Sequence, residues 1–196
     1  MFYILIIAFF TALGAPTLSY SEIEKVVIKW KPGFCSEACL VDLERRLNTI
    51  SDIAEIKFQG AQNQVTIRWK PNKRFNYNTI DRTMRYVGVN IHEIFVTIRG
   101  TITHTSKEVM IQSIGDDTTF TILSPITIKP GDAAVEKNIQ SHKLKLDTRN
   151  QLAEAEEANK IVKIEGPLFE PERSPPLYMI AERVTIPPSW KKSRGR

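Results

Sequence analysis

Between residues 24 and 99 the apolar positions recur at every second residue, then at every third or fourth, and this switching of period constrains the fold more than any other feature. A strand shows its side chains to opposite faces in turn, whereas a helix returns to one face every three or four residues. Val26, Ile28 and Trp30 alternate with Lys29 and Lys31, which predicts a half-buried strand broken by Pro32-Gly33. Leu40, Leu43, Leu47 and Ile50 then make one helical stripe, opposed by Asp42, Glu44, Arg45 and Arg46 and ended by Ser51-Asp52. Ile56 and Phe58 lead through a turn at Gly60 to Asn63 into Val65, Ile67 and Trp69, a hairpin. Pro71-Asn72 closes it. Asn76 suits the cap of a second helix with Ile80, Met84 and Val87 inward, and Gly88 suits the position just past its end. Residues 89–98 read as a last strand.

That order of elements, βαββαβ, is the split βαβ or ferredoxin-like arrangement. Beyond it the pattern is dominated by short strands. The last strand runs on through Gly100 to His104, followed by residues 109–114, a turn at Gly115-Asp116-Asp117, and residues 119–123. A polar stretch from Lys129 to Asp147 precedes an Ala- and Glu-rich helix over residues 150–160. Strands at residues 161–164 and 177–184 are separated by the Pro-rich connection 167–176. Five strands with a helix between the third and fourth, and an early glycine, resemble an OB-fold, a small Greek-key barrel. The fold class is therefore α+β: a ferredoxin-like unit at 24–99 and an OB-like β-barrel at 100–187.

The only cysteines, Cys35 and Cys39, fall where the first strand gives way to the first helix. Residues four apart on a helix share a face, with Cβ atoms about 5–6 Å apart. Two sulfurs holding one ion linearly stand about 4.6 Å apart, which that spacing permits. A disulfide needs Cβ atoms about 3.5–4.5 Å apart, so it requires the first turn to unwind around Cys35, with Gly33 as the hinge. A helix start favours thiolate, while Glu37 between the sulfurs opposes it or adds an oxygen ligand. Metal binding, a disulfide and idle thiols all stay open.

With these cysteines in that loop, residues 24–99 resemble the heavy-metal-associated domain of copper chaperones and metal-pumping ATPases. The resemblance implies that Cys35 and Cys39 hold Cu(I) or another soft ion and pass it to a partner metal-transfer protein. Phe34 and Tyr86 are read as shielding the loop from water, with packing alone as the alternative explanation of both. The family loop reads Met-x-Cys-x-x-Cys, whereas here Phe34 precedes Cys35 and three residues separate the thiols. A thioredoxin-like redox pair has two residues between its cysteines and another order of elements.

Residues 1–20 carry no charged side chain, and the apolar run from Phe2 to Phe10 leads into small residues around Ala15. A run of about ten apolar residues is short for a membrane span and matches a secretory signal, with an uncleaved anchor as the alternative. A periplasmic or secreted location follows as an expectation. Of the net charge of +5, Lys191, Lys192, Arg194 and Arg196 supply four in a basic tail over residues 188–196. The body is close to neutral, which argues against a nucleic-acid-binding face.

Little else carries chemistry. His92, His104 and His142 are scattered and read as surface or edge residues. Glu154, Glu156 and Glu157 read as a solvated helix face. Phe120, Phe169 and Tyr178 read as packing, and Met110 and Met179 as core filler. No nucleophile elbow, phosphate loop or zinc-protease pattern is present, so no enzyme is expected. The expected function is binding of a soft metal ion such as Cu(I) by an exported protein, for its transfer or sequestration. The alternative is a protein-interaction module whose cysteines are disulfide-bonded or idle.

Overall fold

The computed structural model describes residues 23–33, 35–127, 135 and 137–187. The expected export segment, Phe34 and the basic tail lie outside the described residues.

The first six elements are β1 (Ile23–Trp30), α1 (Glu37–Asn48), β2 (Ile53–Gln59), β3 (Gln64–Trp69), α2 (Tyr77–Tyr86) and β4 (Ile91–His104). Ser36 caps α1 by accepting from the Cys39 amide, and Asn76 caps α2 by accepting from the Thr79 amide. The hairpin between β2 and β3 closes on Asn63, whose φ of 50° suits asparagine. The strands stand in the order β2-β3-β1-β4, every neighbour antiparallel. Cross-strand rows Ile67–Val26–Val96 and Val65–Ile28–Ile94 form the inner face. Leu43 and Leu47 of α1 and Ile80 and Met84 of α2 are fully buried in the same core, with Leu40 and Ile50 partly buried against it.

The second half adds β5 (Val109–Ser113), β6 (Thr119–Leu123), α3 (Leu146–Glu157), β7 (Val162–Phe169), β8 (Leu177–Ile180) and β9 (Arg183–Thr185). The protein is mixed α+β, and these strands close a five-stranded barrel on β4. The ring runs β4-β5-β6-β8-β7 and returns to β4, with β6 and β8 parallel and the other pairs antiparallel. Ile102, Ile111, Phe120, Ile122, Ile164 and Met179 fill it, and Leu152 of α3 is buried in the same cluster. No helix among the described residues is long and apolar enough to cross a membrane.

β4 belongs to both halves. Residues 95–98 pair with β1 on one side and β7 on the other, and residues 100–104 pair with β5. The boundary expected between residues 99 and 100 thus falls inside one continuous strand.

Three expectations need adjusting. The strand expected at 161–164 continues to Phe169, because Pro167 comes where β7 leaves β4 and Leu168 and Phe169 then pair with β8. The strand expected at 177–184 is two strands: at the break the Ala181 amide turns to Leu123 and that of Glu182 to Glu165. His142 is not a surface residue. It is 3% exposed, its Nδ1 is 3.1 Å from the Ser124 carbonyl, and its ring meets that of Phe169.

Candidate functional site

The loop between β1 and α1 sets both cysteines at the helix start. α1 begins at Glu37, so Cys35 lies ahead of the helix while Cys39 lies in its first turn. That staggering lets the two sulfurs meet. Cys35 and Cys39 form a disulfide with their Cα atoms 5.3 Å apart. An intact helical turn would hold the Cβ atoms too far apart, so the bond depends on the chain being non-helical at Cys35.

Both cysteines are half-buried and pack on the edge of the main core. The Cys39 sulfur lies 3.7 Å from the carbonyl oxygen of Val87, the residue that ends α2. A bonded sulfur has no proton to donate, so in this state the contact is packing. It ties the α1 start to the α2 end.

The surroundings are charged on one side. Asp42 accepts from Arg46 at 2.8 Å and from Arg45. Arg46, then Arg45, hold its carboxyl below the usual carboxylate range, and Asp42 in turn raises the Arg46 guanidinium. Arg46 also lies over the Tyr86 ring, 3.7 Å from its centre. Tyr86 is 71% exposed, so it stands out from the surface and does not shield the loop.

As bonded, the cysteines offer no thiolate, and a soft ion needs thiolate. Among the described residues no group of three or more His, Cys, Asp or Glu side chains is placed to hold a metal. The donor set fits Cu(I) only after the S–S bond is reduced to two thiols.

The other singled-out residues stay apart from this loop. His92 is exposed, and His104 pairs with Glu156, linking the end of β4 to α3. Glu154 and Glu157 are exposed, whereas Glu156 is half-buried by that pairing. Phe120 and Met179 are fully buried, and Met110 is half-buried. No protein-family model, curated protein or solved structure matches the chain.

Proposed function

We propose that the chain is an exported, non-enzymatic binding module in which Cys35 and Cys39 serve as a disulfide staple on the first loop. The observation that carries this reading is the bond itself: the only two cysteines are joined to each other. Paired cysteines suit an oxidising compartment, which supports a periplasmic or secreted location. The element order and the sheet order β2-β3-β1-β4 support a ferredoxin-like, heavy-metal-associated type of fold for the first half. A helix between β6 and β7 and the parallel pair β6 and β8 support an OB-like reading of the barrel.

The second reading is transfer or sequestration of Cu(I) by the reduced pair. Its specific support is the 5.3 Å Cα separation at the start of a helix, from which two thiolates reach a common ion. One titration separates the two. The protein as purified and the chemically reduced protein are each titrated with Cu(I) against a competing chelator, beside a Cys35→Ser, Cys39→Ser variant. The staple reading expects a purified mass two hydrogen atoms below the dithiol, and an affinity of the reduced protein for Cu(I) too weak to compete with the chelator. A purified mass equal to that of the dithiol, with stoichiometric uptake that the variant loses, would replace it with the metal reading.

A further inference from the structure

The barrel carries a cleft of about 520 Å³ that the loop pair does not explain. Its walls come from the loop before β5 and the start of β5, β6, the short turn Ile139–His142 and the residues just after it, α3 and β8. Ile139, Leu144 and Tyr178 give it half-buried apolar walls, while Ile122 and Leu123 behind them are 2% and 6% exposed. The rim is cationic. Lys107, Lys143 and Arg149 line it against a single carboxylate, Glu108.

Arg149 is held in place there. Its Nη2 donates to the Thr105 carbonyl at 2.7 Å and to the Ser106 carbonyl at 3.0 Å. An arginine has five N–H donors, and among the described residues Nε and Nη1 have no partner while the loop carbonyls hold the guanidinium. A fixed guanidinium beside apolar walls matches a ligand whose anionic head presents two or more oxygens and whose body is greasy. The volume suits a small molecule, since such sites span about 300–1,000 Å³.

We propose that this cleft binds a small organic anion with an apolar body, such as an aryl carboxylate or sulfonate. The anionic head sits between Arg149, Lys107 and Lys143, and the body lies on Ile139, Leu144 and Tyr178. The site is independent of the cysteine pair and of whether that pair is oxidised.

The test uses 8-anilinonaphthalene-1-sulfonate, an aromatic sulfonate whose fluorescence rises on binding, and neutral N-phenyl-1-naphthylamine as its uncharged counterpart. The full chain is compared with a Lys107→Glu, Lys143→Glu variant. Both lysines are exposed, so the fold is expected to survive, and far-ultraviolet circular dichroism checks that it has. The expected result is one saturable sulfonate site weakened about tenfold or more by the double reversal, with the neutral probe unaffected. Equal sulfonate affinity for the two proteins would overturn the proposal. So would displacement of the probe by single-stranded oligothymidylate at lower concentration than by benzoate, which would assign the cleft to nucleic acid.

Discussion

A side-chain carbon on Gly100 would lie 2.2 Å from the backbone oxygen of Gln112 and 2.7 Å from the Ile111 side chain. Gly100 sits where β4 passes from the open sheet into the barrel, paired at once with Ser113 on β5 and Val162 on β7. A backbone oxygen inside a ladder cannot step aside as a flexible side chain does. Gly100→Ala must therefore splay β4 from β5, at a cost of about 3 kcal/mol. Urea unfolding should show a lower midpoint with an unchanged slope. A loss under about 0.5 kcal/mol, the usual limit for an innocuous surface change, would refute the close approach.

The disulfide closes a loop with a sequence separation of only 4. Loop-closure entropy for so short a ring predicts that replacing both cysteines by serine costs about 2 kcal/mol. For a protein of this size that corresponds to about 4–8 °C in melting temperature. Calorimetry of the Cys35→Ser, Cys39→Ser variant against the oxidised protein measures it. An unchanged melting temperature would mean that the bond contributes nothing to stability.

How much of this was legible in the residues depends on range. The strands and helices of the first half followed from local periodicity, because Leu43, Leu47, Ile80 and Met84 face a single inner sheet surface built from every second residue of its strands. The barrel was harder. Its closure rests on β4 meeting β7 across more than sixty residues, and just past the end of β8 at Ile180 the Ala181 amide bonds to a β6 carbonyl, a partner no local pattern reveals. The place of the cysteines was legible, but their bond was not. A four-residue spacing serves an ion or a disulfide alike, and what separates them is whether the helix starts before or after Cys35. His142 was misread for the same reason: its burial comes from Ser124 and Phe169, residues far away in the chain. The cationic cleft draws Lys107, Lys143 and Arg149 from separate segments, so no motif announces it.

Tyr77, at the first position of α2, is 6% exposed. Burial, then the negative charges of Asp81 and Glu172, push its phenol up to about 12 from 10.0. The folded state thus keeps a proton that the unfolded chain releases above pH 10, and stability must fall as pH rises from about 10 towards 12. The neutral phenol's advantage, about 3 kcal/mol, is fully present below pH 10 and lost across that window. Tyr77→Phe has no proton to lose. Its stability relative to the parent should rise between pH 10 and pH 12 in urea unfolding at fixed ionic strength. A constant difference across that range would show that the phenol is not so perturbed.

Phe75 joins the two halves through side chains as β4 joins them through backbone. Its ring meets Trp69 edge-on at 5.4 Å and lies 6.2 Å from Phe120 in the barrel. Its amide donates to Thr118 Oγ1 at 3.0 Å, and that hydroxyl is itself held by Asp116. Removing the ring opens a cavity that both halves line, so Phe75→Ala should cost about 3–5 kcal/mol. Because the sheet and the barrel share a strand and this contact, the loss should appear in one cooperative transition. In a Trp190→Phe background, fluorescence reports Trp30 and Trp69 of the first half, while circular dichroism reports all the secondary structure. The two curves should coincide in the parent and shift together in Phe75→Ala. If fluorescence alone moved while the remaining dichroism melted at the parental midpoint, the halves would be independent units, and the shared strand would carry no coupling between them.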